Sequence, residues 1–219
     1  MTTTEGRVRH GIHVEARLDA AVDRVWALTQ EPRRHERWDV RFGRIRPTGE
    51  GTFCYRRFGV AGTGEHAGER RRSDGSATSA LRFACPSRWS PIEEGSGYWR
   101  YAALDDGGTR FETGYDYRSR YPRLDRLFRP VMAWGTAWSF DRLRLWADRG
   151  LAPELTAAVA VADVVLRLLA VAVVVLLLPL PLPLGLTTGV LAAVVLGRLP
   201  AAPWAPSARR TTWSAGSVR

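Results

Sequence analysis

Few residues in this chain are placed to do covalent chemistry. The four histidines, His10, His13, His35 and His66, fall at no metal-ligand spacing, and His10 has the parity of a core position. The carboxylates of Glu65, Glu69, Glu112 and Asp116 have the chemistry of general acids or bases. Strand alternation, however, sends Glu112 and Asp116 to a solvated face. There is no nucleophile elbow, CxxC pair, phosphate loop or pair of carboxylates at helical spacing. Cys54 and Cys85 lie in strand-like stretches and read as two buried free thiols. What the chain concentrates instead is large aromatic side chains. Trp38, Phe83, Trp99, Tyr101, Tyr115, Trp134 and Trp138 are the candidate cavity residues; no catalytic residue, metal ligand or cofactor is expected. Such a set suits a pocket wall that binds an apolar molecule, and suits a filled core equally well.

The elements that must position these rings follow from periodicity. Val8, His10, Ile12, Val14, Ala16 and Leu18 alternate, which predicts a half-buried strand over 8–18. Val22, Val25, Trp26 and Leu28 recur at helical spacing, and Pro32 ends that helix. A short turn or second helix over 33–39 carries Trp38 inward. Strands are then predicted at 40–47, 51–59, 63–72, 77–85, 95–104 and 109–121, the last two joined at "DDGG". Residues 124–150 predict a long helix with a break at Pro130 and a stop at Gly150. Its apolar stripe reads as Leu127, Val131, Trp134, Trp138 and Leu145. The fold class is therefore α+β, a curved antiparallel sheet of about six or seven strands wrapped around that helix.

Composition breaks once, at 151–156. Beyond it, 157–178 is 22 residues of mostly Ala, Val and Leu, about 33 Å as a helix against a hydrocarbon core of about 30 Å. Asp163 and Arg167 share one face of it and can pair, with Arg167 snorkelling toward the headgroups. "PLPLPLG" (179–185) interrupts the helix, and a second apolar run fills 182–199. Arginines flank the two runs, while the connector has none. The expectation is a membrane hairpin with both ends in the cytoplasm. The domains are thus 1–150, a linker at 151–156, the hairpin at 157–199 and a disordered basic tail at 200–219.

The formal net charge is +10, and all 32 basic residues are Arg, with no Lys and no Asn. Codon bias in a GC-rich genome accounts for this better than selection of a binding surface. The charge still favours an anionic leaflet. The arginines are spread along the chain rather than gathered in one stripe, which disfavours nucleic acid.

The order of elements, with Val25, Trp26 and Trp38 in "VDRVWALTQEPRRHERWD" (22–39), resembles the START-like superfamily, also called SRPBCC, over residues 8–148. The resemblance implies a helix-grip fold with an internal cavity for an apolar ligand. It says little about function, because the superfamily is diverse. The expected function is a membrane-tethered module binding a lipid, isoprenoid or polyketide-like molecule on the cytoplasmic side of the inner membrane. The alternatives are a cyclase or dehydratase using an acid–base residue in the cavity, and a non-catalytic domain that engages a membrane-protein partner.

Overall fold

The computed structural model describes residues 10–57, 59–177, 181–195 and 207–214. Strand β1 (His10–Leu18) leads into helices α1 (Val22–Gln30) and α2 (Pro32–Trp38). Five strands in sequence then form a meander with a sixth: β2 (Arg44–Gly49), β3 (Thr52–Arg57), β4 (Val60–Arg71), β5 (Ala77–Ala84), β6 (Ile92–Ala103) and β7 (Thr109–Ser119). Helix α3 (Pro122–Arg149) closes the domain. Helices α4 (Pro153–Leu177) and α5 (Leu182–Val195) and strand β8 (Arg209–Ser214) follow. The sheet order is β2-β3-β4-β5-β6-β7-β1-β8, and β1 pairs antiparallel with both β7 and β8.

Alternation on β1 buries Ile12, Val14, Ala16 and Leu18 on the concave face. α3 lies across that face, where Phe140 stacks on Phe111 at 4.6 Å and meets Trp38 at 6.2 Å. Gly150 ends α3 in the left-handed conformation (φ 68°), its N–H and that of Leu151 returning to Trp146 and Leu145 carbonyls.

Several expectations are corrected. The stretch 40–43 is loop, and β2 starts at Arg44. α3 runs unbroken through Pro130, which lies on the exposed flank of the helix at the edge of a surface groove. The stripe of α3 that faces the sheet is not the one through Leu127 and Val131, which are 74% and 55% exposed. It runs instead through Met132, Thr136, Phe140 and Leu143. Thr136 is fully buried there, its hydroxyl spent on the Met132 carbonyl, so a polar residue type masks the inner face. Cys54 is exposed, and only Cys85 is buried.

Among the described residues, α4 is the one helix long and apolar enough to cross a membrane. α5 has 14 described residues, about 21 Å, and residues 196–199 of the expected second run lie outside the described residues. The two helices pack closely because Gly185 and Gly189 carry no side chain. A Cβ on Gly185 would lie 3.7 Å from Val175 Cα, and one on Gly189 only 3.1 Å from Val171 Cα. Arg167 pairs with Asp163 as expected, at 2.9 Å, and also donates to the Ala193 carbonyl of α5. The tail is not wholly without structure, since β8 extends the sheet. β1 would otherwise offer an open edge of backbone donors and acceptors.

Candidate functional site

The site grows from the short connection between α1 and β2. Pro32 opens α2, and one helical turn sets His35 and Trp38 inward, where both are buried. Trp38 is fixed by its Nε1–H donating to the Leu28 carbonyl at 3.0 Å. His35 is enclosed by rings: Trp38 stacks at 5.1 Å, Phe42 lies at 4.7 Å, and Trp99 meets it edge-on at 4.9 Å. Its Nε2 lies 3.1 Å from Asp39 Oδ2. Asp39 is the cap of α2 and is wholly buried. Its carboxylate accepts from Arg41 Nε at 2.9 Å, from Arg41 Nη2 at 2.6 Å and from the Arg41 backbone N–H at 3.0 Å.

This cluster sets its own charge states. Burial lowers the His35 pKa below the usual imidazole value, against the pull of Asp39. For Asp39 burial acts upward, but the Arg41 charge and the hydrogen bonds from His35 and Arg41 outweigh it and hold the carboxyl far below the usual range. The result is a neutral imidazole beside a compensated ion pair. The Arg41 guanidinium also sits 5.2 Å from the Tyr115 ring centroid. Burial raises the Tyr115 pKa, and its hydroxyl hydrogen-bonds Thr136 at 2.9 Å.

Between this cluster, the sheet and α3 lies a cavity of about 130 Å³. His35 and Arg41 line one wall, Leu81, Trp99 and Tyr115 the sheet side, and Met132 the α3 side. Its size is near that of cavities that hold one benzene-sized molecule, smaller than a lipid or polyketide requires. Phe53 and Phe83 line both this cavity and a wide groove of about 1810 Å³ beyond it. The groove is larger, but it is edged by the charged side chains of Glu65, Arg82, Asp116 and Arg129. The smaller, mostly apolar space is therefore the better ligand site. Glycines make room for the two rings: a Cβ on Gly95 would come within 2.5 Å of Phe83 Cζ, and one on Gly64 would collide with Phe53.

Of the seven aromatics expected to line the space, Phe83, Trp99 and Tyr115 do so. Trp38 stands behind Trp99, 6.2 Å away. Tyr101 is buried further along, its hydroxyl bonded to Thr29 at 2.6 Å and Gln30 at 2.9 Å. Trp134 and Trp138 do not join the site; they stack on each other at 5.6 Å along α3. Glu112 is on the outer face as expected, yet it is buried there and paired with Arg100 at 2.9 Å. Asp116 is paired with Arg129 at 2.9 Å. The His10 side chain lies outside the described residues. The residues that sequence reasoning missed are His35, Asp39 and Arg41. Their one signal was spacing, with His35 and Asp39 four apart on a helix that also carries an inward Trp.

The fold matches solved structures. Hypothetical protein jhp0584 from Helicobacter pylori superposes with a TM-score of 0.54 at 17% identity, covering 66% of this chain and 91% of that one. The fold is of the helix-grip type. CalU16 from Micromonospora echinospora (TM-score 0.41, 21% identity, 64% of this chain and 77% of that chain) is a more distant neighbour. No protein-family model matches the chain. In sequence it is 37% identical over 172 residues to the uncharacterized membrane protein YndG of Bacillus subtilis. That match covers 72% of this chain and spans 64% of the relative's length.

Proposed function

We propose that the chain is a membrane-tethered helix-grip module that holds a small hydrophobic molecule between the sheet and α3. The observation that carries this reading is the mostly apolar cavity walled by Leu81, Phe83, Trp99 and Met132. Its volume favours a ligand of about one ring. A longer lipid, isoprenoid or polyketide-like molecule fits only if Phe53 and Phe83 swing aside and join the cavity to the groove.

The tether rests on α4 and on likeness to a membrane protein. β8 supports a hairpin with both ends on one side, because it follows α4 and α5 in the chain and pairs with β1 of the folded domain. The flanking arginines favour the cytoplasmic side of the inner membrane. Mass spectrometry of a solvent extract from protein purified out of native membranes tests the reading. A reproducible stoichiometric small apolar compound is expected; an empty extract counts against it.

One observation favours a second reading, a cyclase or dehydratase type of enzyme. His35 lines the cavity as a neutral imidazole, which can accept a proton from a bound substrate, while Asp39 would stabilise the imidazolium so formed. Turnover of the extracted compound by the wild type and not by His35→Gln would support this reading over simple carriage. A further option, a non-catalytic domain for a membrane-protein partner, would show as co-purification of that partner.

A further inference from the structure

The first half of α3 presents a second apolar face away from the sheet. Leu124, Leu127 and Val131 are 57%, 74% and 55% exposed at helical spacing. The surface continues onto Tyr121 at the helix start and onto Trp89, 78% exposed in the β5–β6 connection. The two are held together because the Tyr121 hydroxyl donates to the Arg88 carbonyl at 2.5 Å. Three exposed arginines border this surface: Arg88, whose guanidinium lies 5.5 Å from the Trp89 ring centroid, and Arg123 and Arg126 on α3. The nearest acid on the helix, Asp125, is turned inward to Arg129 at 3.0 Å and to Tyr117 at 2.8 Å. The exposed charge that α3 itself brings to the patch is therefore positive, and the acids nearby on β6, Glu93 and Glu94, pair with Arg118 at 3.0 and 3.5 Å.

We infer that this face of α3, with Trp89 and Tyr121, docks on the anionic surface of the bilayer that α4 enters. Aromatic side chains at the headgroup level, aliphatic ones below it and arginines on the phosphates are what such a surface recognises. A large exposed apolar patch is otherwise a liability in a soluble domain. The inference rests on the reading that α4 is a membrane tether. It adds that the domain lies down on the lipid along α3 rather than standing clear on its linker.

Spin labelling of the full chain separates the two claims. In a Cys54→Ser, Cys85→Ala background, one nitroxide is placed at Leu127→Cys and, in a second protein, at Val165→Cys in α4. Collision with oxygen and with a water-soluble nickel chelate is measured in phosphatidylcholine nanodiscs with and without phosphatidylglycerol. The Val165→Cys label is expected to be oxygen-accessible and nickel-shielded in both. The Leu127→Cys label is expected to lose nickel accessibility only with phosphatidylglycerol. It should regain accessibility in Arg123→Glu/Arg126→Glu, or in about 1 M salt, where the Debye length falls to about 3 Å. A Leu127→Cys label that stays nickel-accessible while Val165→Cys is lipid-buried overturns the docking and leaves the tether standing. Dipolar broadening between Leu127→Cys labels of two chains overturns it in favour of a protein contact. A nickel-accessible Val165→Cys label overturns both.

Discussion

The Nε2 of His35 lies 3.1 Å from the Asp39 carboxylate, and that carboxylate in turn binds Arg41 through two side-chain nitrogens. An imidazole kept neutral by burial thus faces an apolar cavity, while the charge beside it is compensated within the protein. The three residues span one helix end and the loop after it, so α2 decides what polar chemistry the cavity offers.

The cluster should leave a mark on stability as a function of pH. Folded His35 has a lowered pKa, whereas the unfolded imidazole binds a proton below about pH 6.5. In acid the unfolded chain therefore holds more protons, and stability falls as pH drops from about 6.5 toward the folded value. His35→Phe removes that part of the slope. Thermal melts between about pH 5 and 8 should show a shallower decline for the variant than for the wild type.

Arg142 joins the domain to α4. Its guanidinium donates to the carbonyls of Trp38 at 3.0 Å, Arg37 at 2.8 Å and Pro153 at 3.1 Å. Arg142→Met should cost about 2–4 kcal/mol, because these acceptors at a buried helix end lose their donor. The neighbouring pair of Arg37 and Glu154, at 2.7 Å, is substantially exposed. Glu154→Gln should cost less than about 1 kcal/mol. Chemical denaturation of the two variants checks the contrast.

Much of the architecture was legible in the sequence, and the reasons are local. Alternation in β1 and the turn between β6 and β7 are period-two and turn signals that need no tertiary context. α3 was found as an element but misread in orientation. It is apolar on two sides, and the stripe containing Thr136 and Ser139 looks polar until their hydroxyls are seen bonded to carbonyls one turn back. The cavity was half legible for the same reason. Aromatic content marked Trp99 and Tyr115, but whether a ring lines space or fills it depends on the glycines opposite, as with Phe83 over Gly95. The role of His35 is not legible in sequence, because a single histidine carries no chemistry until its partners converge.

The close approach of α4 and α5 should depend on the smallest residues in it. Gly189→Leu would drive a branched side chain into the Val171 backbone, where a Cβ alone already lies 3.1 Å away. The helices are expected to separate, with loss of a disulfide engineered between positions 175 and 185. Gly189→Ala should show a smaller loss.

Phe83 should act as a door between cavity and groove. Phe83→Ala removes a half-buried ring from both linings. Association and dissociation of a cavity ligand should both quicken, with a smaller change in Kd, while stability falls by up to about 3 kcal/mol. Stopped-flow binding and a melt of the same sample report the two effects.

The most direct test is to fill the cavity. Leu81→Trp places a larger side chain into the space of about 130 Å³ that Leu81 lines. A single-ring probe such as toluene should raise the Tm of the wild type with increasing concentration, as a ligand of the folded state must. It should leave the Tm of a folded Leu81→Trp protein unchanged. Equal shifts in both proteins, or none in the wild type, would contradict a ligand site between the sheet and α3.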